Sequence, residues 1–111
     1  MSKQTKRLAG LIEREISEIV RKEAGDARLK EVTITDVELS NDKSVAKVFY
    51  TVLNEESKEP VHEALEKAIG FIRSVVAEDL DVRKVPELRF TYDESIAHGA
   101  RIEEILEGLK K

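Results

Sequence analysis

The chain has 111 residues, 41% of them hydrophobic and 38% charged, which suits one compact domain under a heavily charged surface. It holds no cysteine or tryptophan, two tyrosines and three phenylalanines, so disulfides and thiolate metal sites are excluded and the core must be mostly aliphatic. A net charge of −4 is not the signature of a generic nucleic-acid binder, and no apolar run approaches the roughly 20 residues that cross a bilayer.

The first ten residues, MSKQTKRLAG, carry the charges of a signal peptide without its apolar stretch, so a cytoplasmic protein is expected. Leu8, Leu11, Ile12, Ile16, Ile19 and Val20 then recur at steps of three and four. That spacing predicts an amphipathic helix ended by Gly25, with Lys6, Arg7, Arg14, Arg21 and Lys22 on or near its polar side. Residues 1–30 are the basic part of the chain, at +3; residues 31–66 are acidic, at −6.

VTITDVELS alternates with a slipped phase. Val32 and Ile34 share one parity, Val37 and Leu39 the other, so one extra residue near Thr35–Asp36, a β-bulge, puts all four on one face. Ser40-Asn41-Asp42-Lys43 is turn chemistry, and SVAKVFYTVL follows as a second strand with Ala46, Val48, Tyr50 and Val52 inward. The two form an antiparallel hairpin.

After the polar loop NEESKEP, Pro60 suits the first turn of a helix. Val61, Ala64, Leu65, Ala68, Ile72, Val75, Val76 and Leu80 continue one helical period straight through Gly70. A mid-helix glycine costs roughly 1 kcal/mol against alanine, so Ala68-Ile69-Gly70 is read as a kink between two helices that share a buried side. A positive φ at Gly70 would make its replacement by valine cost about 1 to 3 kcal/mol. Pro86 precedes a third strand with Leu88, Phe90 and Tyr92 on one parity. Ser95 caps a last helix carrying Ile102, Ile105, Leu106 and Leu109. The helical crossover makes the third strand parallel to the second. The expected architecture is α+β, with helices on one face of a three-stranded sheet, as one domain over residues 1–111.

Two helices meeting at small residues, after a hairpin and before a strand, suggest a KH domain, whose GXXG loop clamps a nucleic-acid backbone. Taken together, Arg7-Leu8, Asp26-Ala27-Arg28-Leu29, VTITDVELS with Asp42, AKVFYTVL, Gly70-Phe71-Ile72-Arg73-Ser74, Val85-Pro86-Glu87-Leu88 with Phe90, Tyr92-Asp93 with Ser95, and Gly99, Arg101 and Ile102 resemble the ribosome-binding factor A family. The chain departs from that pattern in carrying Ala27 where proline is usual and Ile69 in mid-kink.

The resemblance implies a KH-like domain of type II order, α-β-β-α-kink-α-β, with an additional C-terminal helix. It implies a cytoplasmic, monomeric, non-enzymatic factor, with no cofactor and no membrane, that binds the immature 30S subunit. It further implies help with late maturation of 16S rRNA near its 5′ end and a part in growth in the cold, with ribosomal proteins as further contacts. Ala68, Ile69 and Gly70 would let RNA approach the backbone, and Lys6, Arg7, Arg14, Lys67, Arg73, Arg83 and Lys84 would meet phosphates. The alternative is a KH-like protein-interaction domain whose acidic segment 31–66 binds a basic protein. His62 and Glu66 stand one helical turn apart but lack a third metal ligand, and His98 has no nucleophile near it in sequence, so neither metal binding nor catalysis is expected.

Overall fold

A computed structural model describes residues 3–23, 25–81 and 84–94. Helix α1 (Lys3–Glu18) runs into a π-helical turn (Ile19–Glu23) and, after Gly25, a 3₁₀ turn (Ala27–Glu31). Strands β1 (Val32–Leu39) and β2 (Val45–Val52), a 3₁₀ turn (Glu55–Ser57), helix α2 (Lys58–Leu80) and strand β3 (Glu87–Tyr92) complete it. The predicted C-terminal helix and its Ser95 cap lie outside the described residues.

The sheet order is β1-β2-β3, with β1 antiparallel to β2 and β3 parallel to β2 across the α2 crossover. Pairing in the hairpin runs Ile34↔Tyr50 and then Asp36↔Phe49, so Thr35 is the extra residue. The bulge does what the slipped phase requires. Val32, Ile34, Val37 and Leu39 sit opposite Val52, Tyr50, Val48 and Ala46, all on the core face. In β3, Leu88, Phe90 and Tyr92 pair with Ala46, Val48 and Tyr50 on that same face. Lys43 closes the hairpin turn at φ 61. Asp42 accepts there from the Ser40 hydroxyl and from the Ser44 hydroxyl and N–H.

One aliphatic core joins the sheet to both helices. From α1 it takes Ala9, Ile12 and Ile16, from the π-helical turn Ile19 and Val20, and from α2 Val61, Ala64, Leu65, Ile72 and Val76. Leu11 departs from the predicted stripe and is 39% exposed. Each residue turns a helix by about 100°, which carries Leu11 off the arc centred on Ile12 and Ile16, and Ala9 takes the inward place. The buried Tyr50 hydroxyl shares a 2.9 Å hydrogen bond with His62 Nδ1.

The kink requires correction. Helix α2 is continuous over 23 residues, through Ala68-Ile69-Gly70, and no glycine among the described residues has a positive φ. The energetics decide for continuity. Breaking at Gly70 would spare roughly 1 kcal/mol of glycine penalty. A break would leave the N–H groups of the next turn without intrahelical partners, at about 0.5–1.5 kcal/mol net for each bond lost, whereas continuity keeps them and holds Ile72 and Val76 on the buried stripe. Asp81, in the left-handed conformation at φ 50, ends the helix instead.

Candidate nucleic-acid interface

The sequence-predicted basic residues fall on separate surfaces. Arg7 and Arg14 are exposed on α1, and a spacing of seven residues returns each to nearly the same angle, about 10 Å along the axis. Arg21, exposed in the π-helical turn, is a further seven residues on and paired with Glu18. It was not among the predicted contacts, although the spacing of Arg7, Arg14 and Arg21 is itself the signal. Lys6 points elsewhere. It lines a shallow depression of about 340 Å³ with Glu13, Asp36 and Glu38. The Glu13 carboxyl there is pushed above its ordinary range by burial and then by the Asp36 charge. Lys6 therefore faces a carboxylate-lined surface, apart from Arg7 and Arg14.

On α2, Lys67 is exposed and bonded to Glu63 at 3.0 Å. Both stand beside the Asp26–Arg28 turn. The Arg28 guanidinium binds both Asp26 oxygens, the shortest contact being 2.6 Å, and the Arg28 N–H donates to the same carboxylate at 3.0 Å. These bonds hold the Asp26 carboxyl down to about 2, with Lys67 adding its charge. Ala68 and Ile69 are half-buried with their side chains against the core, and Gly70 alone of the three predicted kink residues is exposed. A Cβ built on Gly70 meets nothing within 4 Å.

Arg73 lies six residues beyond Lys67, which is about 120° around the helix. Its Nη2 donates to the Val85 carbonyl at 2.8 Å, tying α2 to the segment that enters β3. The exposed Lys84 is that carbonyl's sequence neighbour, so Arg73 and Lys84 do come together. Arg83 lies outside the described residues. The acidic segment is dispersed as well. Asp36 and Glu38 are on β1, Asp42 is in the hairpin turn, and Glu55, Glu56 and Glu59 gather where α2 begins.

A family model described as "Ribosome-binding factor A" matches residues 4–106. The chain belongs to the ribosome-binding factor A family. Two curated relatives carry that name. One from Halothermothrix orenii is 43% identical over 97% of this chain and 89% of its own. One from Coxiella burnetii is 41% identical over the whole of this chain and 94% of its own. The crystal structure of ribosome-binding factor A from Thermus thermophilus superposes with a TM-score of 0.71 at 28% identity, covering 79% of this chain and 93% of that one. A homology model of the Thermus thermophilus factor, fitted into a cryo-electron microscopy map of its complex with the 30S subunit, superposes at 0.69 and 28% identity, covering 81% and 96%. This member of the family thus has the predicted α+β fold, with its small exposed Gly70 on an unbroken helix.

Proposed function

We propose that this chain binds the immature 30S subunit in the cytoplasm and assists late maturation of 16S rRNA near its 5′ end, without catalysis. The observation that carries the reading is the relative of the same fold fitted into a 30S complex, matched here over 96% of its length. The binding contributes by population shift: a factor that prefers one rRNA arrangement moves the equilibrium by no more than its differential affinity. The Arg7–Arg14–Arg21 stripe and the Arg73–Lys84 pair supply phosphate contacts on two surfaces. In a chain of charge −4, such local patches favour a shaped ribonucleoprotein site over RNA in general. The same role predicts a requirement during growth in the cold, where misfolded rRNA escapes slowly.

Co-sedimentation with separated 30S, 50S and 70S particles at low and moderate salt tests this reading. Selective pelleting with 30S particles is expected, weakening as salt rises. Equal association with every particle, or with none, refutes it. Reversing charge at Arg7 and Arg14 together should weaken 30S binding and flatten its salt dependence by about two phosphates' worth, whereas reversing Lys6 should do less. Depleting the protein should allow 16S precursors with unprocessed 5′ ends to accumulate, most strongly at low temperature.

A further inference from the structure

Phe71 carries no role in the contacts described above. It is 47% exposed in the middle of an ordered helix, immediately after the side-chain-free Gly70. Helical side chains lie over the turn N-terminal to their own Cα, so the ring lies over Lys67 and Ala68. Ala68 is small and Gly70 has no side chain, so neither crowds the ring, in keeping with its 47% exposure. Lys67 and the exposed Ser74 flank it at the i−4 and i+3 positions. Glu63 holds the Lys67 ammonium, but this exposed pair is weak and a phosphate can displace it.

We propose that Phe71 is a stacking platform for one unpaired base of ribosomal RNA, with the neighbouring phosphate on Lys67. This rests on the small-subunit reading above. The surroundings favour a base over an apolar protein side chain. Among the described residues, the large exposed hydrophobics are Leu11, Leu53 and Phe71, one each on α1, the loop after β2 and α2. A protein interface presents a contiguous apolar patch at its centre. A single ring set among a cation, a hydroxyl and bare backbone suits a single splayed base, because every base has a π-face and a phosphate one step away. Glu78, two turns further on the same side, repels a continuing phosphate track. The RNA strand therefore crosses α2 at Phe71 rather than following the helix.

The test uses the full chain and purified 30S subunits. Phe71→Ala should weaken binding about 5- to 100-fold at every salt concentration. The slope of log K against log salt should stay unchanged, since no phosphate contact is removed. Phe71→Trp should retain affinity. The chain has no tryptophan of its own, so that variant also reports directly, and stacking should quench its emission on 30S binding. Unchanged affinity in Phe71→Ala overturns the stacking site while leaving 30S binding intact. Emission that brightens and shifts to the blue also overturns it, because that marks an apolar protein contact. Wild-type protein that fails to bind 30S subunits overturns the small-subunit reading itself, and this inference with it.

Discussion

Replacing Gly70 with alanine separates the backbone role of this residue from any role in binding. The backbone there is helical, its φ is not positive, and an added methyl meets open space. Alanine is favoured over glycine in a helix interior by about 0.8–1.0 kcal/mol, mostly through the entropy of the unfolded chain. Unfolding entropy is about 2.1 cal/mol/K per residue, which for 111 residues is roughly 0.23 kcal/mol/K. Gly70→Ala should therefore raise the melting temperature by about 4 °C, followed by far-ultraviolet circular dichroism. The urea midpoint should rise with an unchanged m value. Gly70→Val, with its stiffer β-branched side chain, should fall between the two. A melting temperature lowered by alanine would refute the reasoning, since it would require a backbone that alanine cannot adopt. The same variant then reports on RNA. Higher stability with weaker 30S binding means that something approaches the bare backbone, whereas higher stability with unchanged binding removes Gly70 from the interface.

Deleting Thr35 should leave the register intact, because it removes the extra residue and restores strict alternation of Val32, Ile34, Val37 and Leu39 on the core face opposite Val52, Tyr50, Val48 and Ala46, at the loss of the 2.6 Å bond from the Thr35 hydroxyl to Asp93. The cost by urea unfolding should be about 0.5–1.5 kcal/mol for the lost hydrogen bond, and a loss of about 3–6 kcal/mol, the worth of two core side chains turned outward, would refute this reading of the register. His62→Ala leaves the buried Tyr50 hydroxyl without its 2.9 Å partner and should cost about 1–3 kcal/mol, more than Tyr50→Phe, by urea unfolding. Asp42 has its carboxyl lowered from 3.8 to about 2, chiefly by the Ser44 hydroxyl and N–H and then the Ser40 hydroxyl. Its folded value lies below the unfolded one, so its stabilisation is present above about pH 4 and lost as pH falls through 2. The melting-temperature gap between wild type and Asp42→Ala should accordingly close over that window, and a gap independent of pH would remove Asp42 from the account.

The strand half of the fold was legible because β-periodicity is strict. Two parities in one apolar run permit few solutions, and the bulge at Thr35 is the simplest, so register and inward faces followed from Val32, Ile34, Val37 and Leu39. The helices were legible in their apolar stripes but not at their margins. Leu11 keeps a permitted step from Leu8 yet turns outward, because a stripe of six residues does not fix where its centre lies. Gly70 misled for an energetic reason: propensity offers roughly 1 kcal/mol for a break, whereas the several backbone hydrogen bonds kept across Gly70, at about 0.5–1.5 kcal/mol net each, favour continuity. The basic residues were harder still. Arg7 and Arg14 share a face by spacing alone, but the carboxylates around Lys6 come from two elements, and the bond from Arg73 to the Val85 carbonyl spans a connection that no periodicity describes.

An unbroken α2 changes what this part of the surface can offer an anion. At a helix break, the second helix would present free N–H groups and the positive end of its dipole. In a continuous helix the backbone N–H groups around Gly70 are already committed to carbonyls one turn earlier. The Gly70 carbonyl also accepts the Ser74 hydroxyl at 3.0 Å. No anion site remains in the backbone there, so glycine's contribution is steric clearance and the attraction must come from side chains. Those within reach are Lys67, which is shared with Glu63, and the ring of Phe71. The two predict opposite salt responses. A Lys67 contact weakens as salt rises, whereas a stacked base does not. Binding to 30S subunits that keeps a salt-insensitive component in wild type and loses it in Phe71→Ala would show that stacking, rather than a helix dipole, anchors RNA at this position.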